Sequence, residues 1–222
     1  MKKYFLSLAT ALLLTLPTAA WASDDLPDKG VLTRNGGNVK ALPFRIGMPL
    51  QEARTLGARE VEPGLLRHAM DWGGAAWEAY IQFEQDRAVA LKMATTITQA
   101  PLISLLNAFR EQKYMPLRLV DSGHATDFYV LSGQGTGDEA CRELMRDKIE
   151  AFLGSAESAG CLVVFVSPGF FRDFARHATD EKAIEAIMDK RAAETVYLLT
   201  LDRAHSGKLI CVAASCKRIT QL

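Results

Sequence analysis

The densest set of chemically capable side chains in this sequence is Ser122, His124 and Asp127, which place a nucleophile, a base and an acid within six residues. A hydrolytic triad works only when the base stands between the other two, and such sets are assembled from distant parts of a fold. Three members on one short loop do not meet that geometry, so the segment reads as a polar turn and no catalytic residue is assigned. A hydrolase would need His124 and Asp127 to work in a site completed from elsewhere in the chain. A second candidate is Gly133-Gln134-Gly135-Thr136-Gly137, between an expected strand and an expected helix, where phosphate-binding loops lie. It lacks the full glycine spacing and the Lys-Ser/Thr pair, and Asp138 and Glu139 set two negative charges where an anion would dock. It is expected to be a flexible turn feeding a helix.

Metal chemistry finds no clear ligand set. His68, His124, His177 and His205 are scattered, none in an H-x-H or H-x-x-x-H pair, and Cys211 with Cys216 has no second cysteine pair to complete a zinc site. No metal and no cofactor is assigned. Binding chemistry has a better candidate in Trp72 and Trp77, which flank Gly73-Gly74-Ala75-Ala76. The glycines permit a sharp turn and the alanines give little bulk to bury an indole, so Trp72 is expected to project as a partner contact, with Trp77 beside it leading into a strand. Phe170 and Phe174 align on a helix while Phe171 is turned by about 100°, so one of the three rings is expected away from the others.

The N-terminus sets the compartment. Lys2 and Lys3 precede an apolar run over 5–16, Pro17 ends it, and Ala20-Trp21-Ala22 has the small-x-small form of a signal-peptidase site. Residues 1–22 are expected to be a signal peptide cleaved after Ala22, delivering the protein to the periplasm or the medium. No cysteine adjoins the site for acylation and no later run is long enough to span a bilayer, so no membrane anchor is expected. The whole chain carries 26 basic and 26 acidic residues. Such a balance lacks the basic excess of a nucleic-acid binder, and another envelope or secreted protein is the expected partner. In an oxidising compartment Cys141, Cys161, Cys211 and Cys216 are disulfide candidates with three possible pairings. Pairing Cys211 with Cys216 requires their strand to turn near Val212, because residues five apart in an extended chain cannot be bridged.

The elements that must position these residues follow from periodicity. Residues 23–43 are rich in Asp, Gly, Asn and Pro and read as an extended leader. A short helix is expected over 49–56, a strand over 65–70, and a hairpin alternating through Ala79, Ile81 and Phe83, then Val89, Leu91 and Met93. A helix carries Leu102, Leu105, Leu106 and Phe109, and strands are expected over 117–120 and 127–132. Thr136 and Glu139 have the form of a capping box for a helix over 138–153, with Cys141 on its inward stripe. The uninterrupted apolar run 162–166 suits a strand buried on both faces, Ser167-Pro168 opens a short helix, and another follows Thr179. A hairpin over 195–201 and 208–213 closes the chain. Helices and hairpins alternate irregularly, which predicts an α+β fold with an antiparallel sheet, in a region 44–98 and a cysteine-bearing region 99–222 that could be two small subdomains.

Residues Ile46-Gly47-Met48-Pro49-Leu50-Gln51-Glu52-Ala53, then Leu56-Gly57 and the strands over 77–84 and 88–93, resemble periplasmic modules of the SmpA/OmlA type, related in fold to the β-lactamase-inhibitor protein. The resemblance spans 45–93. It implies helices ahead of an antiparallel sheet and a role in binding other proteins, without the lipid anchor, because the anchoring cysteine is missing.

Overall fold

The computed structural model describes residues 42–155 and 158–219. The signal, its cleavage site and nearly all of the leader lie outside these residues.

The fold is α+β: nine strands form one antiparallel sheet. In chain order the elements are α1 (Leu50–Thr55), β1 (Arg59–Glu62), β2 (Leu65–Trp72), β3 (Ala75–Glu84), β4 (Arg87–Thr96) and α2 (Gln99–Glu111). There follow β5 (Met115–Asp121), β6 (His124–Asp127), α3 (Phe128–Gly133), α4 (Asp138–Gly154) and β7 (Gly160–Val166). The chain then continues through α5 (Pro168–Arg176), α6 (Glu181–Lys190), β8 (Thr195–Asp202), β9 (Lys208–Ser215) and α7 (Cys216–Ile219). The spatial order is β1-β2-β3-β4-β9-β8-β7-β5-β6. The regions 44–98 and 99–222 therefore share one sheet, joined where β4 pairs with β9, and one hydrophobic core.

Register explains the core. Leu66, Ile81, Leu91, Ala213, Tyr197 and Phe165 form one cross-strand row from β2 to β7, and all six are buried. Because side chains alternate across a strand, the row defines a single face. Helix α2 lies on it: the Phe109 ring sits 4.5 Å from Phe165 and 5.1 Å from Tyr197 between centroids. Helix α4 runs beside α2 in the opposite direction, since Glu139 at its start pairs with Arg110 near the end of α2, and Arg146 farther along reaches back to Asn107.

Edge strand β1 is short, exposed and bears Arg59, Glu60 and Glu62, with the register broken between Glu60 and Glu62. Charge and a bulge on a short edge discourage pairing with another chain.

Two local expectations are corrected. Residues 127–132 are not a strand: β6 ends at Asp127 and α3 begins at Phe128. Packing decides this. Tyr129 meets Phe174 at 5.4 Å, and α3 comes so near α5 that a Cβ on Gly133 would stand 2.6 Å from the Ala175 carbonyl oxygen. The capping box at Thr136 does not form either. Gly137 is the N-cap of α4 without a side-chain hydrogen bond, and Glu139 turns instead to Arg110 and Arg142. By contrast Ser167 caps α5, accepting from the Phe170 N–H at 3.2 Å, as the Ser-Pro opening suggests. Phe170, Phe171 and Phe174 are all buried, so none of the rings is left at the surface.

Candidate functional site

Trp72 and Trp77 are core residues rather than an exposed contact surface, at 6% and 2% exposure. The β2–β3 turn consists of Gly73 and Gly74, both at positive φ, which makes a tight two-residue hairpin. Helix α2 rests on that turn: Ser104 donates to the Gly73 carbonyl at 3.2 Å, and its Cβ lies 2.5 Å from where a Cβ on Gly73 would be. Trp72 shares the face of Leu66 and is buried with it, stacked edge-on against Trp77 at 5.8 Å. The Trp77 Nε1–H donates to the Trp72 carbonyl at 2.9 Å.

The four cysteines are all free and buried. Cys161 on β7 and Cys211 on β9 are separated by the whole of β8, about 10 Å at the usual strand spacing and beyond disulfide reach. Strand β9 stays extended to Ser215, so Cys211 and Cys216 cannot pair locally. Burial pushes every one of these thiols upward, Cys211 to about 12 and Cys216 to about 11. They behave as small apolar core residues and not as thiolate nucleophiles.

Ser122, His124 and Asp127 are not brought together. Ser122 donates to Asp121 in an exposed turn, His124 opens β6, and Asp127 ends it beside Arg118. Positions three apart in a strand point to opposite faces, so His124 and Asp127 cannot act on one substrate atom. Burial raises the Asp127 carboxyl despite the Arg118 charge.

Another Ser, His and Asp do meet, at the β8–β9 turn. Asp202, 3% exposed, accepts from Ser206 Oγ at 2.7 Å through one oxygen. Its other oxygen faces the His205 backbone N–H and Nδ1, each at 3.2 Å. The serine proton is directed at the acid and not at the imidazole, which is the wrong order for activating a nucleophile. The group is a carboxylate that ties a turn. A similar tie joins Ser167, Glu194, Arg191 and Asp173: Ser167 donates to Glu194 at 2.6 Å, and Arg191 bonds both acids.

A further polar cluster lies at the seam of α2 and α4. Arg110 and Arg142 grip the two oxygens of Glu139 at 2.9 and 3.2 Å. Arg146, 5% exposed, donates to Asn107 Oδ1 at 3.2 Å. The buried Nε atoms of Arg142 and Arg146 have no hydrogen-bond partner. Desolvation lowers the Arg146 pKa, and the Arg110 and Arg142 charges add to this, while Glu139 and the exposed Glu143 oppose it. A buried guanidinium normally carries a counter-ion and fills its donors. Glu139 is bonded directly by Arg110 and Arg142, while Arg146 is held by Asn107. The sequence offered only a faint sign of this: Arg142 and Arg146 are four apart and flank the inward positions Cys141 and Met145, a spacing usual on a solvated helix face.

Among the described residues no group of three or more His, Cys, Asp or Glu could hold a metal ion, and no helix is long and apolar enough to cross a membrane. No protein-family model matches the chain, and neither a curated protein nor a solved structure does.

Proposed function

We propose that this chain is a non-enzymatic binding protein of the bacterial envelope, exported by its N-terminal signal and acting in the periplasm on another envelope or secreted protein. The observation that carries the reading is the Asp202 turn, where Ser206 and His205 both address the carboxylate. Serine, histidine and aspartate are in contact there, and their bonds fix a loop instead of activating an oxygen. The separation of His124 from Asp127 weighs the same way against a hydrolase. The SmpA/OmlA-type resemblance supports a binding role, with α1 preceding the meander β1–β4 in the order that it implies.

The test is capture from periplasmic extract on the tagged protein, followed by reconstitution from the two purified components. A partner that rebinds at a fixed ratio is the expected result. Turnover of an ester or cell-wall substrate that is abolished by His124→Ala would overturn the reading. N-terminal sequencing of the exported protein is expected to begin at Ser23.

A further inference from the structure

We propose that the open face of the β1–β4 meander is the surface on which this chain receives its partner, and that the partner presents there an extended acidic segment whose carboxylates are taken by Arg59 and Lys92 on either side of Tyr80. The proposal rests on the reading of this chain as a binding protein and names the surface and the chemistry of the contact.

Register places the residues. Arg59 stands directly opposite Arg67, Arg67 opposite Tyr80, and Tyr80 opposite Lys92, so the four lie on one line across β1, β2, β3 and β4. Side chains directly opposite share a face, here the one turned away from the buried row that begins at Leu66. Like charges set directly opposite, as Arg59 and Arg67 are, cost stability, so the meander by itself gains nothing from them. Arg67 is matched by Glu78. The exposed Arg59 and the half-buried Lys92 have no hydrogen-bond or ion-pair partner among the described residues, and only these two charges are open to a ligand.

Spacing sets the form of that ligand. Three strand intervals of about 4.8 Å separate the backbones of Arg59 and Lys92, about 14 Å in all. An extended chain advances about 3.3 Å per residue, so carboxylates at positions i and i+4 lie about 13 Å apart on one side of it. The residue at i+2 then falls on Tyr80, whose half-buried ring and polar tip suit a contact at the centre of an interface. Ala69, Ala90 and Ala94 stand diagonally to Tyr80 and leave room for a backbone to approach. Glu62 and Asp71 are exposed on the same face, and with Glu78 they would repel a uniformly negative surface such as an anionic membrane. A short segment with separated carboxylates is accommodated where a continuous layer of anions is not.

The experiment is fluorescence anisotropy at low salt with a labelled serine-threonine peptide bearing glutamates at i and i+4, with the same peptide bearing glutamines as control. Wild type is compared with Arg59→Glu, Lys92→Glu and Lys182→Glu, the last an exposed cation on α6 whose reversal changes the net charge equally. Each variant is melted thermally, and Lys92→Gln takes the place of Lys92→Glu should that variant melt early. The glutamate peptide is expected to bind wild type and the glutamine peptide to bind more weakly. Arg59→Glu and Lys92→Glu should each weaken the glutamate peptide by roughly fivefold, the upper worth of one exposed ion pair, while Lys182→Glu leaves its binding unchanged. No binding of the glutamate peptide, equal weakening by Lys182→Glu, or binding of phosphatidylglycerol vesicles in place of the peptide overturns the proposal. A partner captured from periplasmic extract separates this surface from the wider reading. Rebinding at equal strength to wild type and to the chain with both Arg59→Glu and Lys92→Glu strikes the surface and leaves the binding role standing, whereas capture of no partner strikes the role itself.

Discussion

The row Arg67, Tyr80, Lys92, Val212, Leu198 and Val164 crosses the sheet on one face, and its two ends live in different solvents. In the meander, Arg67 is exposed and paired with Glu78, while Tyr80 and Lys92 are half-buried. In β9, β8 and β7 the same face is closed over Val212, Leu198 and Val164. The opposite face is buried at both ends. One hydrogen-bonded sheet thus joins an amphipathic region to a region buried on both sides, and side-chain chemistry changes at the β4–β9 seam where the backbone pattern does not. A strand that alternates needs cover on one face only, while continuous apolar strands such as β7 and β8 need it on both.

The largest expected effect tests whether the single buried face of the meander is as essential as the doubly buried strands. Trp77→Ala and Trp72→Ala should each cost about 3–5 kcal/mol in a denaturant melt, because each removes a packed indole and leaves a cavity. A loss below about 1 kcal/mol for Trp72→Ala would restore the exposed position that its glycine-rich turn suggests.

The second prediction compares the ends of the row directly. Leu198→Ala should destabilise by about 2–5 kcal/mol, whereas Arg67→Ala should stay within about 0.5 kcal/mol of the parent. Equal losses would remove the distinction between the regions.

The third uses the thiols as reporters of two-sided burial. Cys161 and Cys211 lie in β7 and β9, and the native protein is expected to resist a thiol reagent that reacts with all four cysteines once the chain is unfolded without reductant. Two or fewer thiols after unfolding would mean that a disulfide forms outside this arrangement.

The smallest effect concerns pH. Arg191 donates two hydrogen bonds to Asp173 Oδ2, at 3.0 and 2.6 Å, and these hold the carboxyl below its ordinary value of 3.8. A depressed folded value contributes stability that is present above the unfolded value and lost as pH falls through the folded one. Asp173→Asn should therefore cost about 1 kcal/mol near neutral pH, with the deficit shrinking on acidification below pH 4. A deficit that does not change between pH 7 and pH 3 would place the effect in packing and not in charge.

Local pattern alone supplied much of the architecture. The period-two alternation through Ala79, Ile81 and Phe83, the Gln85-Asp86 turn, the Leu102–Phe109 stripe and the Ser167-Pro168 opening each encode an element within a few residues, because dihedral preference and side-chain period act at short range. What stayed illegible depended on neighbours distant in sequence. Phe128 and Tyr129 read as strand residues until α5 stands beside them, and Trp72 reads as exposed until α2 is laid on the Gly73 turn.

The sequence by itself determined the α+β class and the apolar character of the closing strands, since these follow from composition and periodicity. Only the tertiary structure decided which side chains share a site. It parted His124 from Asp127, set the cysteines on separate core elements, and gathered Arg110, Arg142 and Arg146 from two antiparallel helices around Glu139 and Asn107. Burial and charge balance are properties of surroundings, and those surroundings come into being only when segments far apart along the chain pack together.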